Sequence, residues 1–133
     1  MTMPCTELII KLNMDSHKEA LVSEWAHKVI ELGSDKQAEQ ILLLDVRQAC
    51  SFADYFVIMT AITERHIDSL AEDCWQLLKT EGAIRHHREG SSMSGWLLLD
   101  FGDLIVHLLS AQEREFYRLE EAWSHAKTVV MLQ

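Results

Sequence analysis

Two short apolar runs separated by a tight turn constrain the fold of this chain more than any other feature. The runs cover residues 96–100 and 103–109, and the turn between them reads Asp-Phe-Gly-Asp. Each run is long enough for one strand, and Gly102 supplies the positive φ that a tight turn needs. The segment therefore predicts a β-hairpin in which alternate side chains of each strand share one face of the sheet.

A helix is expected directly after this hairpin. Ser110 and Glu113 form a capping box, the S-x-x-E pattern in which two side chains satisfy backbone amides at a helix start. Apolar residues then recur at helical spacing. They predict a stripe that packs inward, formed by Phe116, Leu119, Trp123 and Ala126.

The first part of the chain supplies two more strands and two more helices. Residues 41–46 and 54–60 are apolar or β-branched runs joined by a short connector, which predicts an antiparallel pair. Apolar periodicity predicts helices over 16–32 and 64–81. A glycine follows each helix at once, as is common after a helix end.

One domain is expected, because 133 residues can bury one core but not two. It covers residues 15–127, between an N-terminal lead-in over 1–14 and a C-terminal tail over 128–133; the first helix begins where Ser16 opens a capping box. Residues 84–89 are polar and form at best an edge strand. The predicted order is α-β-β-α-β-β-β-α, an α+β fold with a mixed five-stranded sheet and packed helices.

The charge balance narrows the classes of partner. Twenty-one acidic residues against twelve basic ones leave a formal net charge of -9. A nucleic-acid surface needs a clustered excess of lysine and arginine, so direct sequence-specific nucleic-acid binding is not expected. A basic protein surface would suit this charge.

Cysteine usage and the start of the chain both favour a cytoplasmic location. Cys5, Cys50 and Cys74 form no CxxC pair, which is typical of buried thiols in a reducing compartment. The first fifteen residues have neither the pattern of a signal peptide nor that of a transit peptide. No apolar window approaches the length of a membrane span, so no membrane partner is expected.

The residues that could carry catalysis or hold a metal lack the required spacing. Asp100 and Asp103 are paired carboxylates, but they flank a turn as D-x-x-D, where aspartates commonly bond to their own backbone. The seven histidines show no HExxH or His-x-His spacing, and His107 within a strand is typical of a hydrogen-bonded sheet residue. Nucleophile elbows and phosphate-binding glycine motifs do not occur. The sequence predicts no catalytic residue, no metal and no cofactor.

Trp96 and Tyr117 are the best candidates for a binding surface. Trp96 opens a strand after the segment Ser-Ser-Met-Ser-Gly, and Tyr117 lies off the predicted stripe of the last helix. Partly exposed tryptophan, tyrosine and arginine residues are the usual anchors of protein interfaces. Packing at the edge of the domain is the other interpretation of the same residues.

Several segments match one protein family together. They are SDKQAEQILLLDVR, SFADYFVIMT, Arg65-His66, Glu89-Gly90, WLLLDFGDLIVH and REFYRLEEAW, with Trp96, Asp100, Gly102, Asp103, Val106, His107, Arg114, Tyr117, Leu119, Glu120 and Trp123 in the family's positions. In these segments the chain resembles the Iojap family, the bacterial ribosomal silencing factors. One departure is Ala61-Ile62-Thr63, where the family has a turn of Gly-Thr followed by Ser or Asn.

The resemblance implies a function and a partner. Such proteins bind the large ribosomal subunit through its fourteenth-class ribosomal protein, stop the small subunit from joining and so repress translation. The fold kinship that it implies is nucleotidyltransferase-like. The residues expected at the docking surface are Trp96, Asp100, Asp103 and Tyr117, together with Arg65, His66 and Arg114.

The free protein is expected to form a homodimer through a two-fold contact of its exposed apolar residues. Two other functional classes remain open. One is a homodimeric interaction module whose partner is not the ribosome. The other is a small nucleotidyltransferase-like enzyme, which the fold kinship suggests.

Overall fold

Four helices and six strands make up the part of the chain that the structure describes. The structure is a computed structural model that describes the backbone of residues 5–84 and 86–133, and the side chains of residue 18 and of 20–133 apart from residue 85. In chain order the elements are α1 (Cys5–Asp35), β1 (Glu39–Asp45), β2 (Tyr55–Ala61), α2 (Glu64–Thr80), β3 (His87–Ser91), β4 (Trp96–Asp100), β5 (Leu104–Ser110), α3 (Ala111–Tyr117), α4 (Leu119–Ala122) and β6 (Lys127–Leu132).

The sheet is mixed, with β5 and β2 side by side at its centre. Its strand order is β3-β4-β5-β2-β1-β6; β2 runs parallel to β5, and the other neighbours pair antiparallel. β2 is buried along its whole length, and β5 is buried up to its last residue. Strands covered on both faces need continuous apolar runs, which both strands have. The predicted α+β fold, the hairpin of β4 and β5 and the antiparallel pairing of β1 with β2 are confirmed.

One face of the sheet is covered by α1 and α2, and we call it the helix-covered face. α2 follows the prediction closely, because its apolar residues recur at helical spacing and Gly82 after it has a φ of 103°. The two helices pack on the sheet through their buried apolar residues, which are Val22, Ala26, Val29, Ile30, Ile67, Leu70, Ala71, Cys74 and Leu78.

The opposite face, which we call the open face, carries a second and smaller apolar cluster. It is built on alternate residues of the inner strands, among them Leu42, Leu44, Phe56, Ile58, Ile105 and Leu109. Partly buried residues from β4, from α4 and from the segment after α4 pack against it, namely Trp96, Leu98, Leu119, Trp123 and Ala126. No long helix among the described residues lies over this face, so its β4 side stays accessible.

The first helix is longer than the sequence predicted at both ends. Residues 5–14, assigned to a lead-in, are helical, and the predicted start at Ser16 is wrong; residues 1–4 lie outside the described part. Half of residues 5–14 are good helix formers and the segment contains no proline or glycine, whereas a capping box favours a helix start without enforcing one. Gly33 lies inside α1, where a Cβ would overlap the sulfur of Met59, so this glycine permits the close approach of helix and sheet.

The last predicted helix is interrupted at Arg118. This residue adopts a left-handed conformation, with φ 45° and ψ 53°, and separates α3 from α4. Phe116, predicted to pack inward, is instead 76% exposed. Residues two apart on a helix point to different sides, and Arg114 is the α3 residue that faces the core. Leu119 and Trp123 pack against the open face, which agrees with the prediction for them.

The sheet has six strands, so the prediction of five is wrong. Residues 127–132, most of which were assigned to a C-terminal tail, form β6 and pair antiparallel with β1. The run Thr-Val-Val-Met-Leu within them has the β-branched character of a strand, but it is short and follows a helix pattern that obscured it. The polar segment before β4 does form an edge strand, β3, at the other side of the sheet.

Within the described residues, no helix combines the length and the apolar character that crossing a bilayer requires.

Replacing Gly90 by alanine should destabilise the domain more than replacing Gly82. Both glycines have a positive φ, 81° and 103°, which costs an L-residue about 1–2 kcal/mol. At Gly90 the new Cβ would also overlap the carbonyl oxygen of Trp96, whereas nothing lies within 4 Å at Gly82. The shift of β3 against β4 should add roughly 1–3 kcal/mol. Urea unfolding of the two variants measures the difference, and equal losses of stability would contradict this close approach.

Candidate protein-binding surface

A groove at the start of β4 gathers the two aromatic residues that the sequence favoured. Alternation along β4 places Trp96 and Leu98 on the open face, as predicted. The ring of Tyr117 lies over the same place, with its centroid 4.8 Å from that of Trp96. Glu89, Gly90 and Ser94 complete the lining of this groove, which has a volume of about 370 Å³ and is called the Trp96 groove below.

A short run of hydrogen bonds brings α3 to the start of β4. Ser110 caps α3, because its Oγ accepts from the backbone N–H of Glu113 at 3.2 Å. The backbone N–H of Ser110 donates to the carbonyl oxygen of Gly95 at 2.8 Å. The helix therefore begins beside Gly95, and Tyr117 in its last turn returns to Trp96. The predicted helix start at Ser110 is confirmed.

His107 lies under the groove and is 4% exposed. The indole Nε1–H of Trp96 donates to its Nδ1 at 3.2 Å, so the neutral ring carries its proton on Nε2. Burial lowers the pKa of His107 to about 4, and the positive charge of Arg114 acts in the same direction. The sequence-based interpretation of His107 as a hydrogen-bonded sheet residue is confirmed.

Six aromatic rings form a continuous row across the open face. In order they are Trp123, Phe56, His107, Trp96, Tyr117 and Phe116, with successive ring centroids 4.8, 5.0, 5.9, 4.8 and 4.9 Å apart. The row starts in the smaller apolar cluster and ends on exposed rings, since Tyr117 is 49% exposed. Rings in tilted and edge-on contact hold one another in place, so the exposed end is supported by the buried one.

Carboxylates lie along the β3–β4 side of this surface. Glu89 is exposed and pairs with Leu98 across the two strands, so it borders the Trp96 groove. Asp100 ends β4 on the same face, and its Oδ1 accepts from the backbone N–H of Gly102 at 2.7 Å. This contact is the local turn bond that the sequence favoured over a metal site.

Asp103 contacts the first helix and not β3 or β4. Its carboxylate forms an ion pair with Lys18 of α1, with 3.0 Å between Oδ2 and Nζ. Among the residues that the structure describes, no group of three or more His, Cys, Asp and Glu side chains could hold a metal ion. Asp100 therefore lies on the open face with the groove, whereas Asp103 lies beside α1 and lines a different cavity with Lys18 and Trp25.

His66 has an internal role at the start of α2, and Arg65 beside it is exposed. Nδ1 of His66 accepts from the backbone N–H of Ile62 at 2.9 Å, and Nε2 donates to the carbonyl oxygen of Lys36 at 2.8 Å. Thr63 caps the helix by accepting from the N–H of His66 at 3.0 Å. The loop that departs from the family's small-residue turn therefore keeps a capped helix.

Arg114 is 6% exposed and bonds within the domain. Its Nη1 donates to Oγ1 of Thr60 at 3.1 Å, and its Nε donates to Oε2 of Glu120 at 3.3 Å. The guanidinium thus ties α3 and α4 to β2. The resemblance to the family placed Arg114 among the expected docking residues, and nothing in the sequence around it indicated that its side chain is buried.

Sequence reasoning missed three residues of this surface. Leu98 and Glu89 border the Trp96 groove, and Phe116 extends its exposed end. The alternation of β4 was a sufficient signal for Leu98, because it shares a face with Trp96. Placing Glu89 on this surface depends on the register between β3 and β4, which the sequence does not show. Placing Phe116 there depends on the helix break at Arg118, and a left-handed conformation is not expected for a residue other than glycine.

The folded domain should lose stability below pH 6.5 through His107. The unfolded histidine takes up a proton near its usual pKa of 6.5, whereas the folded one does so near 4, so the unfolded state binds more protons in this window. Stability then falls as pH falls, and the parent should lose about 3 kcal/mol more than a His107→Asn variant between pH 7 and pH 4. Urea unfolding of both proteins at the two pH values measures this difference. Equal acid losses in the two proteins would contradict a neutral buried histidine.

Comparisons with known proteins agree on one family. The family model described as "Ribosomal silencing factor during starvation" matches residues 19–133. The ribosomal silencing factor of Halalkalibacterium halodurans is 33% identical over 95 residues, which are 71% of this chain and 81% of that protein. The mouse protein named "Mitochondrial assembly of ribosomal large subunit protein 1" is 28% identical over 99 residues, 72% of this chain and 43% of that protein. A crystal structure of a Chromobacterium violaceum protein superposes with a TM-score of 0.69 and 25% identity, covering 83% of this chain and 88% of that one.

Proposed function

The chain belongs to the ribosomal silencing factor family, and from that premise we propose that it binds the large ribosomal subunit and prevents the small subunit from joining. The contact is made with the fourteenth-class ribosomal protein of the large subunit. Translation is then repressed by occupation of a surface and not by a chemical reaction. The protein acts in the cytoplasm, where it meets free large subunits.

The observation that carries this proposal is the Trp96 groove. Trp96, Leu98 and Tyr117 place two aromatic rings and one aliphatic side chain around an accessible concavity. Interfaces draw most of their free energy from a few such anchors surrounded by a polar rim. Because Trp96 is already held from below, its ring loses little conformational freedom when a partner covers it.

Charge supports a basic protein as the occupant. Glu89 and Asp100 lie on the same face as the groove, and the whole chain carries a net charge of -9. Lysine and arginine side chains on the ribosomal protein would meet these carboxylates, which mainly speeds association and fixes orientation. The same charge opposes close approach to ribosomal RNA.

The other expected docking residues take graded roles in this proposal. Asp103 is already paired with Lys18 and would exchange that partner for one on the ribosome. Arg65 is exposed and can contribute directly. His66 and Arg114 shape the surface through their internal hydrogen bonds. The name of the mouse relative, which refers to a ribosomal large subunit, supports the choice of that subunit.

Trp96→Ala should weaken binding to the large subunit more than tenfold. Removal of a central aromatic anchor costs on the order of 2 kcal/mol or more, and about 1.4 kcal/mol corresponds to a factor of ten in affinity. Co-sedimentation with purified large subunits measures the binding, and a subunit-joining assay should show that joining is restored. Ile84→Ala is the matched control, because Ile84 is an exposed apolar residue that lies outside the groove.

Two results would count against different parts of this proposal. A folded Trp96→Ala variant that co-sediments as well as the parent would contradict the interface. A parent protein that does not co-sediment with the large subunit would contradict the function itself. Circular dichroism and urea unfolding establish that the variant remains folded.

A homodimer is the second candidate state, and the edge strand β6 favours it. Its side chains are mostly exposed and apolar, including Val129, Met131 and Leu132, and Lys127 is its one charged residue. An apolar edge offers unpaired backbone groups to another strand. Antiparallel pairing of two copies about the middle of β6 would place each Lys127 opposite an apolar residue, without like-charge contact. The free protein would then be a two-fold dimer.

Light scattering at high micromolar concentration should therefore give the mass of two chains. Val129→Lys puts a charge into the middle of the edge and should shift the equilibrium toward one chain. The control is Ile62→Lys, which adds the same charge at an exposed apolar residue in the loop before α2. A monomer mass for the parent would rule out the dimer, and a Val129→Lys variant that stays dimeric would place the contact elsewhere.

A further inference from the structure

We propose that His107 is a positioning residue of the Trp96 groove. Its Nδ1 accepts the indole N–H of Trp96 and holds that ring in the orientation that a partner meets. The inference rests on the proposed function for what the groove binds. Its geometric part stands on the described contacts alone.

The register of the hairpin makes this contact specific. Leu98 lies directly opposite His107, and Trp96 lies opposite Leu109. Trp96 and His107 are therefore diagonal neighbours on the open face, a separation that long side chains can bridge. They meet through one hydrogen bond of 3.2 Å between Nε1 and Nδ1.

The indole ring has one donor and no acceptor, so its partner decides its orientation. Trp96 is half-buried, at the border between the apolar cluster and the groove. Among the described residues, Nδ1 of His107 is the acceptor within reach of its indole N–H. Without that acceptor, the N–H would be satisfied best by water, which requires the ring to turn outward.

The buried position of His107 is difficult to explain by packing alone. Its Nε2 is buried and has no hydrogen-bond partner among the described residues. An unpaired buried donor costs free energy that an aliphatic side chain of similar size would avoid. The Phe56 ring, 5.0 Å away, presents the kind of surface against which a leucine would pack at least as well. What the imidazole supplies, and leucine cannot, is the acceptor for Trp96.

A pair of substitutions separates the two roles. Asparagine and leucine have nearly the same shape, and Oδ1 of asparagine stands at the same bond distance from the backbone as Nδ1 of histidine. If His107 serves packing only, His107→Leu should be at least as stable and should bind at least as well as His107→Asn. If it positions Trp96, leucine can stabilise the fold while asparagine preserves the groove. Stability and binding then rank the two variants in opposite orders.

The direct readout is the indole N–H signal of Trp96 in proton–nitrogen NMR spectra. The chain has four tryptophans, and Trp96→Phe identifies the relevant signal by removing it. The signal should keep a hydrogen-bonded shift in His107→Asn. In His107→Leu it should move and exchange with water roughly tenfold faster, as expected when an indole N–H passes from a protein acceptor to solvent.

The second readout is binding to purified large subunits. His107→Leu should bind about fivefold or more weakly than the parent, and His107→Asn should recover most of that loss, within the range of interface positioning effects. In a Trp96→Phe background there is no N–H to position, so exchanging histidine for leucine should have little further effect on binding. Such non-additivity is the mark of residues that act through each other.

The outcomes of these experiments test two statements separately, namely that His107 positions Trp96 and that the chain binds the large subunit. Parent-like binding and an unmoved Trp96 signal in His107→Leu would overturn the positioning role. Equal losses in the asparagine and leucine variants would show that the volume of the ring matters and not its acceptor, which also overturns it. If the parent itself does not bind the large subunit, the proposed function fails, and the NMR signal alone then decides whether His107 positions Trp96.

Discussion

The parallel pairing of β2 with β5 is the constraint on which the rest of this structure depends. Two adjacent parallel strands must be joined by a crossover, which here runs through α2, β3 and β4. Both strands are buried on two faces, so each face of the sheet has to be covered. Two long helices cover one face. The other is closed by short elements, which leaves the β4 side of the open face accessible to a partner.

The row of six aromatic rings gives the accessible part of the open face a fixed shape. Its buried end packs in the apolar cluster through Phe56, and its exposed end stands beside α3. Arg114 holds α3 and α4 against β2 from within. The rings that a partner would touch are thus fixed by contacts made deeper in the domain, so a change far below the surface can alter how the groove is presented.

The sequence was sufficient to predict an element wherever its side chains, or one stripe of them, are buried along the whole element. The inner strands and α2 were predictable because burial on two faces, or on one stripe, imposes a pattern that composition reveals. Local patterns predicted the wrong helix boundaries where a segment can adopt more than one backbone conformation. A capping box inside α1 did not start the helix, and the left-handed Arg118 ended α3 without a glycine. Pairings between distant segments were also out of reach.

The candidate site, like the fold, was predictable only in part. Alternation placed Trp96 and Leu98 together, but the bond from Trp96 to His107 required the register of β4 on β5. Arg114 and His66 were recognisable as members of a pattern, whereas the direction of their side chains depends on which neighbours fold around them. A motif indicates that a residue matters in this domain. It does not indicate whether the residue faces the partner or the core.

The two edge strands of the sheet differ in composition, and this difference limits how many copies of the chain can associate through them. β3 carries histidine, arginine and glutamate side chains that are all exposed, whereas β6 carries one lysine and one threonine beside four apolar residues. Addition of β6 to β3 of the next copy would leave a β3 and a β6 free at the two ends, and the chain of copies would grow without limit. Pairing of β6 with β6 consumes both apolar edges and leaves only charged ones outside. The asymmetry of the sheet therefore favours closure at two copies over a filament.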